Sequence, residues 1–108
     1  AFDCIGFVFY AFKKAHAMKL IGGSYKTIPT LVDLAKRHDR ANRANPKRGD
    51  LVVWGGTKHI GIYLGNRKAI SAINDGVTIH KVNALTDPFT TYLHVKWKAP
   101  VAESGFRW

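Results

Sequence analysis

The opening segment AFDCIGFVFY holds the only cysteine of the chain, Cys4, next to the carboxylate of Asp3. Sulfur attacks as the thiolate, and a free cysteine ionises near pH 8.5, so neutral-pH chemistry needs surroundings that favour the anion. The first turn of a helix supplies them, because its amides lack partners and the helix dipole is positive there. The same amides would stabilise an oxyanion formed beside the sulfur. A buried, inert core cysteine fits this position as well, so placement alone leaves both readings open. A nucleophilic thiol also needs a base, and the chain offers His16, His38, His59, His80 and His94. His16 and His38 fall late in helical stretches, where a helix C-terminus simply favours imidazolium. His80 and His94 lie in alternating runs and read as ordinary surface residues of strands. His59 differs: GGTKHIGIYLG puts it at the mouth of a strand, just after a flexible glycine turn. There it can form a Cys–His pair with a thiol at a helix N-terminus.

These residues need elements to hold them. From Cys4 onward, Ile5, Val8, Phe9 and Phe12 recur at three- and four-residue spacing, which predicts an amphipathic helix ending near KLIGG at Gly22–Gly23. Asp3 is placed to cap it. A second helix is expected after Pro29, with Thr30 and Asp33 as a capping-box-like pair and Leu31, Leu34 and Ala35 as its apolar side. It runs out into RHDRANRANPKRG, a polar, basic loop. From Asp50 the pattern changes to short runs rich in Val, Ile and aromatics: DLVVWGG, HIGIYLG, KAISAI and VTIHKV. INDGV predicts a tight hairpin between two of them. A last strand, TYLHVKW, alternates Leu93, Val95 and Trp97 against Tyr92, His94 and Lys96. Helices first and an antiparallel meander after them make an α+β domain.

The 108 residues suit a single domain spanning 1–108. With 46% hydrophobic and 22% charged residues the composition is that of a folded chain, not a disordered one. No apolar run approaches the roughly 20 residues of a membrane span, and the first residues lack the pattern of a signal peptide. One cysteine excludes an internal disulfide, and with scattered histidines it gives no metal-ligand spacing, so neither metal nor cofactor is expected. The formal charge of +10 favours polyanionic partners: wall polymer, anionic headgroups or nucleic acid. Lys36, Arg37, Arg40, Arg43, Lys47 and Arg48 form the densest basic stretch, read as a solvated face. The Arg48–Asp50 tripeptide is explained by the turn into a strand rather than by adhesion. No stacking platform or nucleic-acid motif accompanies the charge, and nucleic acid ranks last among the partners.

Two blocks of this sequence resemble the NlpC/P60 cysteine peptidases. FDCIGFVFYAF is similar to the Asp-Cys-Ser-Gly-Phe/Leu-Val nucleophile motif of that family. KRGDLVVWGGTKHIGIYLGNRKAISA is similar to its second block, Gly-Asp-Leu-Val followed by His-Val-Gly-Ile-Tyr-Leu-Gly. The resemblance covers residues 2–82. It implies a papain-like α+β core, with a Cys-bearing N-terminal helix packed on an antiparallel sheet of about five strands. It implies hydrolysis of amide bonds in peptidoglycan stem peptides, with Cys4 as nucleophile and His59 as base. The setting it implies is secreted, wall-associated or on a phage virion.

The chain departs from the family pattern in three places. The residue that orients the catalytic imidazole falls on Ser71 in KAISAI, short and uncharged, with Asn74 as the alternative orienter. Ile5 stands where the family has serine; a free amino terminus loses that hydroxyl partner, and a cross-linked or uncapped stem peptide becomes as good a substrate. The tyrosine- and glycine-rich segment that precedes the family's nucleophile is missing before Ala1, so either the parent protein is longer or the groove is built differently. Asp3, Ile5 and Trp54 are the expected substrate contacts, with Trp54 also fitting a core position. Two further readings stand beside the leading one. A CHAP-like amidase or acyl transferase would use the same dyad, and a catalytically decayed, basic wall- or nucleic-acid-binding module would account for Ser71 and Ile5.

Overall fold

The computed structural model describes residues 3–74 and 76–96. Asp3 has extended backbone angles, and its carboxylate accepts the Gly6 amide at 2.7 Å, capping α1 (Cys4–Lys14) as expected. Gly6 is required there, since a Cβ would sit 2.5 Å from Asp3 Oδ1. Ile5, Val8, Phe9 and Phe12 form the buried stripe of α1. The helix stops well before Gly22. The Ala17 amide reaches back to the Phe12 carbonyl and the His16 amide to that of Lys13, with His16 left-handed at φ 56°. This is a Schellman termination, and its apolar contact is present: Phe12 and Ala17 share one buried cluster. Met18–Ile21 then form a short 3₁₀ turn closed by Gly22 at φ 96°. α2 (Ile28–Arg37) starts before Pro29 rather than after it. Thr27 is its cap, accepting the Thr30 amide at 3.4 Å, and Pro29 occupies the first turn, where its missing N–H is not needed.

Six antiparallel strands follow: β1 (Ala41–Asn42), β2 (Leu51–Trp54), β3 (His59–Gly65), β4 (Lys68–Ile73), β5 (Gly76–Lys81) and β6 (Phe89–Leu93). Their order across the sheet is β1-β6-β2-β3-β4-β5. The sheet has one strand more than expected, because Ala41–Asn42 of the polar loop pairs with Tyr92–Leu93. Two residues carry no alternation for a sequence to display. The β4–β5 hairpin closes with Ile73 opposite Gly76, as INDGV predicts. The left-handed residue described in its turn is Asn74 at φ 53°, with Gly76 already inside β5.

β2 divides the core. Leu51 and Val53 join α1, α2 and Ile60 in the larger apolar cluster, whereas Val52 and Trp54 join Tyr63, Ala69 and Val82 in a smaller one. The last strand ends at Leu93, short of the expected Trp97, which lies outside the described residues. His94 turns out of it to a buried carboxylate. Asp50, 2% exposed, accepts His94 Nδ1 at 2.8 Å, the Val95 amide at 2.9 Å and the Lys47 amide at 2.8 Å. His94 Nε2 meets Asn42 Oδ1 at 2.8 Å, so one imidazole ties β1, β2 and the end of β6 together. His94 is thus a structural residue rather than a surface one, and a carboxylate so enclosed is not displayed for adhesion. Removing Asp50 leaves the buried Val95 amide, the Lys47 amide and an imidazole without this acceptor. Asp50→Ala is expected to lower stability by about 3 kcal/mol, read as a shifted midpoint in urea unfolding.

Candidate active site

Cys4 is the first residue of α1, half-buried and packed against the larger cluster. Its neighbour Ile5 is buried in that cluster, because it lies on the apolar stripe with Val8, Phe9 and Phe12. It faces the core and is withdrawn as a substrate contact. Asp3 remains exposed, with one carboxylate oxygen engaged in the cap. α1 packs directly on β3 and β4, the strands that carry His59 and Ser71. No hydrogen bond joins Cys4 Sγ to His59 among the described residues.

His59 opens β3, paired across the ladder with Trp54. Its Nε2 lies 3.0 Å from Ser71 Oγ. Ser71 is completely buried on β4. Its hydroxyl reaches His59 because Gly61 leaves the gap between the strands empty. A Cβ on Gly61 would stand 2.8 Å from both Ser71 Cβ and the Ile70 carbonyl, and 3.3 Å from Trp54 Cζ3. Asn74, the alternative orienter, sits in the turn beyond β4 and makes no hydrogen bond to His59.

Ser71 has a second partner. His80 Nε2 on β5 lies 2.7 Å from Ser71 Oγ, and His80 Nδ1 lies 2.9 Å from the Lys81 carbonyl. Sequence reasoning had set His80 aside as a surface residue. The hairpin register held the signal: Ala69 faces His80 and Ser71 faces Thr78, which makes Ser71 and His80 diagonal neighbours on one face.

Trp54 underlies both imidazoles, with ring centroids 5.2 Å from His59 and 5.5 Å from His80. It is completely buried, and its indole N–H donates to the Val82 carbonyl at 2.7 Å. A side chain with no exposed surface cannot border a groove, so Trp54 is a support for the histidines and not a substrate contact. His16 and His38 stand just past the ends of α1 and α2 rather than within the helices.

Burial holds His59 below the ordinary histidine value, and repulsion from His80 adds to this; Asp87 acts in the opposite direction. Asp87 belongs to the segment before β6 and approaches the Gly55 turn. Lying outside every motif, it offered no sequence signal. The neutral form of His59 is therefore favoured.

Comparison with known proteins gives the same family as the sequence motifs. The family model described as "NlpC/P60 family" matches residues 1–96. A probable peptidoglycan endopeptidase, LytE of Bacillus subtilis (strain 168), is 31% identical over 88 residues, covering 76% of this chain and 23% of that protein. Among solved structures, the peptidoglycan hydrolase RipB of Mycobacterium tuberculosis matches with a TM-score of 0.55 and 27% identity. That match covers 90% of this chain and 47% of RipB. The chain thus spans less than a quarter of LytE and about half of RipB.

Two measurements follow from this geometry. The His59 imidazole should titrate below the ordinary histidine value of about 6.5, and Asp87→Asn should move it further down, read by NMR. Because the unfolded chain then binds more protons than the fold, the His59 contribution to stability is complete above the unfolded value. It is lost as pH falls from that value through the lower, folded one, and His59→Gln should flatten the decline. Gly61→Ala should separate the strands at Ser71, costing about 1–3 kcal/mol and breaking the Ser71–His59 hydrogen bond, measured by unfolding and by the His59 NMR signals. A cysteine opening a capped helix, and a strand histidine backed by a buried hydroxyl, agree with the family match over residues 1–96: the chain belongs to the NlpC/P60 family.

Proposed function

We propose that this domain hydrolyses amide bonds in peptidoglycan stem peptides, with Cys4 as nucleophile and His59 as base. The observation that carries this is the capped first turn that bears Cys4, packed on the strands that hold His59 and its buried partner Ser71. The names of LytE and RipB, a peptidoglycan endopeptidase and a peptidoglycan hydrolase, supply the substrate class. The strong positive charge suits an anionic wall. That setting is extracellular, at the wall or on a particle that attacks it.

The chemistry is a two-step acyl transfer. The Cys4 proton passes to His59, and the thiolate attacks the amide carbonyl carbon. Amides of the first turn of α1 stabilise the oxyanion. As the C–N bond breaks, the imidazolium gives its proton to the leaving amine, which leaves a thioester on Cys4. Water then attacks the thioester; its proton goes to His59 and on to the sulfur as the acid departs. Each half returns His59 to its neutral form.

A decayed binding module rested on Ser71 as a poor orienter and on Ile5. Ser71 has a second imidazole behind it, and Ile5 serves the core, which favours the enzymatic reading. An amidase or acyl transferase with the same dyad would differ in the bond handled, which mass spectrometry of digested muropeptides resolves. Cys4→Ala, and alkylation of the wild-type thiol, should each reduce release of muropeptide fragments from purified walls at least 1,000-fold, on the order of the loss of a nucleophile. Wall lysis by the alanine variant at the wild-type rate would sink the proposal.

A further inference from the structure

The polar chain behind His59 has a direction that can be read from its far end. His80 Nδ1 faces the Lys81 carbonyl at 2.9 Å, and a carbonyl only accepts, so Nδ1 carries a proton. In the neutral ring Nε2 is then a bare acceptor. Ser71 Oγ lies 2.7 Å from that nitrogen and donates its single hydrogen to it. The hydroxyl therefore presents only a lone pair to His59 Nε2, 3.0 Å away. His59 Nε2 must be the N–H, and Nδ1 is left as the basic nitrogen.

We propose that His80 is a positioning residue: acting through Ser71, it holds His59 in the Nε2–H tautomer and leaves Nδ1 free to take the Cys4 proton. The proposal rests on the reading of Cys4 and His59 as nucleophile and base. A serine alone does not select a tautomer, since its hydroxyl donates as readily as it accepts. Once its hydrogen is committed to His80, it is an acceptor only. The complete burial of Ser71 keeps water from competing for that hydrogen. Trp54 packs against both rings, so their orientations are set from one side by a single rigid surface. When His59 takes the thiol proton, Nε2–H keeps its acceptor and no hydrogen bond has to change. A short neutral residue on β4 and an imidazole on β5 together do what one longer orienting side chain would do.

The test uses ¹⁵N-histidine NMR and kinetics on the whole chain. At a pH where both imidazoles are neutral, the wild type should show the Nε2–H tautomer. His80→Ala and His80→Leu free the Ser71 hydroxyl and should convert His59 to a mixture of tautomers. With peptidoglycan fragments, both should lower kcat by about 10–100-fold, the usual cost of losing a partner that orients an imidazole, with little change in KM. His80→Gln places an amide oxygen near the former Nε2 and should restore both the tautomer and most of kcat. Ser71→Ala combined with His80→Ala should cost no more than the worse single change, because the two act as one unit. An unchanged His59 tautomer in His80→Ala, or full activity in a folded His80→Leu, overturns the proposal. The tautomer is read without substrate. An intact Nε2–H signal, lost in His80→Ala, in a protein that does not cleave walls would therefore overturn the functional reading and leave only the control of the His59 tautomer by His80 standing.

Discussion

β2 is buried on both faces from Leu51 to Trp54, and most of the molecule is arranged to make that possible. A four-residue strand has no solvated side, so each face must find its own cover and both edges must be paired. The helices and Ile60 cover one face; Tyr63, Ala69 and Val82 cover the other. β3 and β6 satisfy its edges. The polar groups that such a strand drags inside are each given a partner. At its start, Asp50 collects two amides and the His94 ring; at its end, the Trp54 indole donates to Val82. Unpaired, any of these groups would cost more than a single hydrogen bond contributes.

The candidate site grows from the end of that strand. Trp54 is held by its hydrogen bond and its burial, and two imidazoles rest against it. Gly61 keeps the neighbouring strand low enough for Ser71 to reach His59. Burial and the nearness of His80 disfavour a charged His59, and Asp87 offsets part of that.

The first turn of α1 shows the same economy. Asp3 caps the helix, Gly6 leaves room for the cap, and Cys4 stands between them with its backbone already fixed. Ile5 belongs to the opposite task, anchoring the turn in the core. Four consecutive residues thus divide into cap, thiol, anchor and gap. A serine at the position of Ile5 would give up that anchor for a hydroxyl.

The sequence by itself determined the α+β order, the capped helix at Cys4, the β4–β5 hairpin and the family, because these rest on local spacing and on short motifs. It placed Cys4, His59 and Ser71 in the elements that hold them. It erred where local signals compete. The α1 end was read from glycines, whereas a left-handed His16 closes the helix first. Thr27, not Thr30, caps α2. Trp54 and Ile5 were open to either a groove or the core, and only packing placed both inside. The roles of His80, His94 and Asp87 depend on which strands lie side by side. A histidine's chemistry is set by what faces its two nitrogens, and for His80 and His94 three of those four partners are distant in the chain. The tertiary structure decided them because hydrogen bonds act through space, at distances the order of residues does not record.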